Sequence, residues 1–218
     1  MTSRHTVAAR LRSEGIVAIV RLTHVANMVR IAEALQGGGI QCMEVTMNTP
    51  GALQGIESVC KEVAGVCMGA GTVLDAETAR EAISAGAEFL VTPTVVRSVI
   101  EAGHQHDVAV IVGAMTPTEI LTAWQLGADF VKVFPAHILG AGYISAVRGP
   151  LPQIPLAPTG GITAANAGEF ITKGASVVCA GGWLVSTSAV ADDGYAHITD
   201  RACMLVEAVR KGRAEVVK

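Results

Sequence analysis

Short apolar runs rich in Val, Ile and Ala recur eight times along this chain, and each gap between them reads as helix. The runs cover residues 17–21, 41–46, 67–71, 88–92, 108–112, 130–134, 156–159 and 177–181. They are continuous rather than alternating, the pattern of parallel strands buried on both faces. Helix boundaries are marked between them. Val25, Met28, Val29, Ala32 and Leu35 form an apolar stripe that stops at Gly37-Gly38-Gly39. Thr49-Pro50 offers an N-cap and a proline at the first helical position, with Leu53, Ile56 and Cys60 following on one face. Asp75 and Thr116-Pro117 predict two further helix starts, and Thr163 opens a run that ends at Gly174. Helices over about 2–14 and 187–213 flank the series. The expectation is an α/β chain folded over residues 1–218 as a single (β/α)8 TIM barrel with an extra N-terminal helix. The competing doubly wound sheet carries GxGxxG after its first strand, whereas Arg21-Leu22-Thr23-His24 stands there.

Composition excludes several classes of function. The formal net charge is −3, with no basic block, which argues against nucleic acid as a partner. No apolar run reaches the length of a membrane span, and the N-terminus lacks the pattern of a signal peptide. Cys42, Cys60, Cys67, Cys179 and Cys203 are odd in number and scattered, unlike a disulfide framework or a zinc site. Cys42, Cys67 and Cys179 sit in apolar runs and are expected as small core residues. These features point to a cytoplasmic protein.

Within the sixth run, Ala128-Asp129-Phe130-Val131-Lys132-Val133-Phe134-Pro135-Ala136, a lysine interrupts apolar sequence. An ammonium in an apolar site loses solvation, which favours the neutral amine, a nucleophile toward carbonyls. A lysine that snorkels to water is the structural alternative. In a (β/α)8 barrel the active groups come from the C-terminal strand ends. Those ends carry Arg21, Glu44 with Thr46, Thr72, Thr92-Pro93, Lys132, Thr159-Gly160-Gly161 and Gly181-Gly182. Lys132 is suited to condense with a 2-oxo acid, giving an iminium that acts as an electron sink for carbon–carbon cleavage. Such chemistry needs a proton carrier, and Glu44 is the carboxylate embedded in an apolar strand run. A buried Glu44–Lys132 pair of purely structural use is the alternative, although such pairs add little stability. The glycine pairs follow the seventh and eighth runs, where barrels of this type build phosphate sites, and a helix N-terminus is expected to add N–H donors. Tight turns alone would also explain them. His104 and His106, beside Asp107, are expected to be solvated, and His137 lies nearer the mouth.

Taken in order, Glu44-Val45-Thr46, Gly69-Ala70-Gly71-Thr72-Val73-Leu74, Thr92-Pro93, Lys132-Val133-Phe134-Pro135-Ala136, Pro158-Thr159-Gly160-Gly161-Ile162 and Gly181-Gly182-Trp183-Leu184-Val185 resemble the 2-keto-3-deoxy-6-phosphogluconate aldolase family. That family includes 4-hydroxy-2-oxoglutarate aldolases and 6-phosphogalactonate variants. The resemblance implies a class I lyase with no metal or cofactor, acting on a 2-oxo acid that is phosphorylated, on a homotrimeric barrel. It assigns the Schiff-base lysine to Lys132 and the acid–base carboxylate to Glu44. Thr72, Thr159 and the Pro93 turn would line the pyruvyl pocket, Phe134 would pack on the lysine, and Gly160, Gly161, Gly181 and Gly182 would hold phosphate. Two positions depart from the pattern. Asn48 stands where gluconate-type members carry an arginine, as in galactonate-type relatives, and Gly182 stands where many members carry a serine. Arg21 resembles an arginine of part of the family and could supply the missing positive charge. Competing readings are a 4-hydroxy-2-oxoglutarate lyase, a phosphosugar epimerase that forms no imine, and a sugar-phosphate sensor.

Overall fold

The computed structural model describes residues 2–24, 26–191 and 194–216. Eight strands are all present: β1 (Ile16–Val20), β2 (Cys42–Thr46), β3 (Cys67–Gly71), β4 (Phe89–Val91), β5 (Ala109–Ala114), β6 (Phe130–Val133), β7 (Leu156–Pro158) and β8 (Val178–Ala180). Helices separate them: α1 (Arg4–Glu14), α2 (Met28–Gly37), α3 (Ala52–Glu62), α4 (Ala76–Ser84), α5 (Arg97–Gln105), α6 (Pro117–Gln125), α7 (Ala136–Leu139), α8 (Ala141–Arg148) and α9 (Ala167–Thr172), with α10 (Thr187–Ala191) and α11 (Tyr195–Val216) last. Neighbouring strands pair in parallel in the order β7-β6-β5-β4-β3-β2-β1-β8. The ring closes where Thr159 bridges Cys179 and the Ser176 N–H donates to the Leu156 carbonyl at 2.9 Å. This is the expected (β/α)8 barrel.

Alternate residues divide each strand between two cores, because successive side chains point to opposite faces. The outward set, including Ala18, Val20, Met43, Val45, Val110, Val112, Val131 and Val133, packs with the helices. The inward set includes Val17, Ile19, Cys42, Cys67, Phe89, Ile111, Phe130 and Cys179, and fills the barrel. Val7 and Leu11 of α1 join the inner set, so the N-terminal helix plugs one end. Arg4 of α1 pairs with Asp129 at 2.8 Å, and the Arg12 guanidinium lies 5.3 Å from the Phe130 ring centroid. With that end closed, the opposite end, at the C-termini of the strands, is the mouth. Glu44 lies two residues beyond Cys42, and Lys132 two beyond Phe130, so both share the inner face.

Several local expectations held and several did not. Asp75 caps α4, and Thr116 with Glu119 forms a complete capping box on α6. Cys42, Cys67 and Cys179 are buried and free. Thr49 does not cap α3, whose N-cap is Gly51 in the left-handed region (φ 75°). The buried Thr49 hydroxyl instead accepts from the Leu22 N–H at 3.2 Å and meets the Thr46 hydroxyl at 3.0 Å, tying two strand ends together. Thr163 does not open a helix either. Its N–H donates to Asn166 Oδ1 at 2.9 Å in a turn, and α9 starts at Ala167. The expected C-terminal helix is two, α10 and α11, with Gly194 ahead of the second and its N–H on the Ala189 carbonyl at 2.7 Å. His104 is not simply solvated, since its Nε2 lies 3.0 Å from the Gly127 carbonyl; His106 is exposed with Nδ1 2.9 Å from the Ala102 carbonyl. Val25, placed by sequence on the α2 stripe, lies outside the described residues. Helices α5, α7 and α8 carried no start signal comparable to Asp75 or Thr116.

Candidate active site

Lys132 projects into the barrel from β6, with 5% of its surface exposed. Its strand neighbours in register are Gly113 and Ala157, two residues too small to fill the space beside a long side chain. A Cβ on Gly113 would collide with the Pro93 backbone, so the glycine also lets the β4 end close over β5. The Lys132 ammonium lies 5.5 Å from the Phe134 ring centroid. Phe134 is 38% exposed, a large aromatic face turned to the mouth.

Glu44 enters from β2, opposite Ile19 and Gly69 in register, and is 1% exposed. Neither carboxylate oxygen has a hydrogen-bond partner among the described residues. A Cβ on Gly71 would stand 2.5 Å from Glu44 Oε1, so β3 is kept bare where the carboxylate lies. Burial pushes the Glu44 carboxyl above the ordinary glutamate range, opposed first by the positive charge of Lys132 and then by that of Arg21. An unpartnered buried carboxylate costs free energy in the resting protein and marks a candidate functional group.

Arg21 and Thr72 are brought together at the rim, where the Arg21 guanidinium donates to Thr72 Oγ1 at 3.0 Å. Thr72 has φ 57°, and a β-branched residue held in the left-handed region is strained by about 1–3 kcal/mol. Asn48 is exposed and lines, with Thr49, Thr72 and Leu74, a groove of ≈ 500 Å³ between α3 and α4. Neither Lys132 nor Glu44 lines that groove.

Thr159 is buried at the end of β7 and donates to the Ala157 carbonyl at 3.2 Å. Cys179 sits beside it and was read from sequence only as core. Burial pushes the Cys179 thiol up to about 11, while the charge of Lys132 and the neighbouring Thr159 hydroxyl oppose the rise. Its place beside the lysine follows from strand parity, since Cys179 and Gly181 share the inward phase. Gly160 and Gly161 both have positive φ, 95° and 72°. Among the described residues no acceptor takes the backbone N–H of Gly161, Gly182 or Trp183, while that of Gly160 faces Cys179 across the bridge that closes the ring. These donors belong to the loops themselves; the expected helix N-terminus is displaced to Ala167. A Cβ at Gly182 would meet nothing within 4 Å, so this loop is open where a longer side chain would project. Arg201 anchors it from α11 by donating to the Trp183 carbonyl at 2.7 Å.

The fold and mouth define a (β/α)8 barrel enzyme with an enclosed lysine and carboxylate. The sequence matches the family model described as KDPG and KHG aldolase over residues 7–201, and the chain belongs to that family of carbon–carbon lyases. It is 36% identical to the 2-dehydro-3-deoxy-phosphogluconate aldolase of Treponema pallidum, over 89% of this chain and 93% of that one. It is 33% identical to the KHG/KDPG aldolase of Escherichia coli K12, over 89% and 92%. Among solved structures, KDPG aldolase from Legionella pneumophila, with pyruvate captured as a covalent carbinolamine, superposes with a TM-score of 0.83 at 29% identity, covering 91% of this chain and 97% of that one.

Proposed function

We propose that the protein cleaves 2-keto-3-deoxy-6-phosphogluconate, or its galactonate epimer, to pyruvate and glyceraldehyde 3-phosphate through a Schiff base on Lys132. The observation that carries this reading is an enclosed lysine sharing the barrel interior with an unpartnered buried carboxylate. The Lys132 amine adds to the C2 ketone, giving a carbinolamine. Glu44 delivers the proton that lets water leave, and an iminium results. The Glu44 carboxylate left by that step takes the C4 hydroxyl proton, and the C3–C4 bond breaks. The bonding pair moves into the iminium, leaving a pyruvyl enamine and releasing the aldehyde. Protonation at C3 and hydrolysis return the free lysine with pyruvate. The imine is itself the electron sink, so these steps call for no cofactor. Burial raises the Glu44 carboxyl toward the range where it can both give and accept protons.

Thr72, Thr159 and the Pro93 turn line the pyruvyl end, with Arg21 offering its charge to a carboxylate. Phe134 covers the lysine, and the backbone N–H groups of the 160–161 and 181–183 loops receive the phosphate. Asn48 and Gly182 supply neither charge nor hydroxyl. Cleavage of 4-hydroxy-2-oxoglutarate to pyruvate and glyoxylate uses the same steps without phosphate, and relative kcat/KM on the two substrates ranks them. The enzyme works in the cytoplasm as a homotrimer on this reading. Lys132→Ala is expected to lower kcat on either substrate by at least about 10⁴-fold, an order of magnitude set by loss of covalent catalysis. A folded variant with near-normal turnover would remove the mechanism and bring forward an epimerase that forms no imine.

A further inference from the structure

The two glycine loops offer peptide N–H groups, yet their side chains bring no cation to a phosphate. One side chain outside them reaches the first loop. His137, on α7 just past the strand that carries Lys132, is exposed at the mouth. A Cβ on Gly161 would stand 2.5 Å from His137 Cβ, and one on Gly160 would stand 3.5 Å from His137 Nδ1. The same point on Gly160 is 3.5 Å from the Phe134 ring. The loop is therefore bare of side chains where the imidazole rests, and a larger residue at Gly161 would expel it. Lys132, Phe134, Gly160 and His137 form a continuous row, from the buried amine across the aromatic face to the exposed imidazole. A substrate held at C2 by the lysine and extended along Phe134 would bring its distal end to that ring. Asn166 donates to the Gly161 carbonyl at 2.8 Å and so braces the loop without using its N–H groups.

We infer that His137 is a specificity-determining residue, with its imidazole donating to the distal phosphate beside the Gly160–Gly161 loop. The histidine selects phosphorylated substrates over shorter dicarboxylates, whose far end does not reach it. This rests on the proposed roles of Lys132 and the glycine loops. The test compares wild-type protein with His137→Ala and His137→Gln. Inorganic phosphate affinity is read by calorimetry, which needs no turnover. The ratio of kcat/KM on 2-keto-3-deoxy-6-phosphogluconate to that on 4-hydroxy-2-oxoglutarate is read by pyruvate release. Loss of one hydrogen bond to a charged group predicts that His137→Ala weakens phosphate binding and lowers the ratio, each by about tenfold, through KM rather than kcat. His137→Gln, which keeps a donor, should recover part of both. Unchanged phosphate affinity in His137→Ala, or equal losses on both substrates, would overturn the assignment. Borohydride trapping of pyruvate on the wild-type protein separates the two levels. A missing Lys132 adduct condemns the lyase reading, whereas an adduct combined with unchanged phosphate affinity condemns the role of His137 alone.

Discussion

Among single residues, Glu44 has the sharpest consequence for stability. Its carboxylate is enclosed with no hydrogen-bond partner, and burial raises its pKa more than Lys132 and Arg21 lower it. The consequence for stability has a definite sign. Above about pH 4.3 the unfolded chain ionises this glutamate, while the folded protein holds the proton until its higher pKa is reached. The folded state then binds more protons, so stability falls as pH rises from the ordinary value through the raised one. Glu44→Gln cannot titrate. It should be more resistant to urea than the wild type at neutral pH, with the gap closing below the ordinary glutamate range. Turnover of the same variant should drop by about 10²-fold or more through lost proton transfer. Urea midpoints for the two proteins that differ by the same amount at every pH would contradict the burial argument. Thr72 also bears strain, since its left-handed backbone sets the hydroxyl beside Arg21.

At the scale of elements, the site exists because certain strand positions are empty. Gly69 and Gly71 of β3 leave room for Phe89 and Glu44, and Gly113 of β5 leaves room for the Pro93 backbone. A methyl group at Gly71 would press on a carboxylate that is walled in on all sides. Gly71→Ala should therefore cost about 1–3 kcal/mol of stability and lower turnover by displacing Glu44. Gly181→Ala is the control for stability, because its Cβ would meet Ile19 at an ordinary 3.6 Å. Equal unfolding midpoints for the two variants would show that β3 is not filled by Glu44. Sequence made the strands legible because continuous apolar runs are hard to satisfy except in a buried parallel sheet. Helix starts were legible at Asp75 and Thr116, where a side chain caps the first turn. Thr49 looked the same but is spent on Leu22 and Thr46, a tertiary use that no local signal reveals. The turn at 163–166 misled for a similar reason, because Asn166 rather than Thr163 stands next to the helix.

At the scale of the whole molecule, strand parity converts a linear motif into a site. Glu44 and Lys132 lie far apart in sequence, yet each follows an inward-facing core residue by two. Reading strand ends as one list therefore anticipated that they share a chamber. It did not anticipate which other inward residues stand beside them, and Cys179 was read as mere filling although it adjoins Thr159 and feels the charge of Lys132. The groove beside Asn48 and Thr72 was also beyond sequence, because it forms between two helices that only the closed barrel sets side by side. The trimeric state proposed for the barrel is open to sedimentation velocity, which should give one species near three times the 22.4 kDa chain mass. A monomer at micromolar concentration with full turnover would show that the site is complete within one chain and the trimer unnecessary.

Catalysis by an imine on Lys132 is a covalent event. Incubation with pyruvate and borohydride, followed by mass spectrometry of the digested protein, tests it most directly. Imine catalysis predicts a reduced pyruvyl adduct on the peptide containing Lys132 and none in Lys132→Ala. A folded wild-type protein that gives no adduct, beside a control aldolase that does, would contradict imine catalysis at this site.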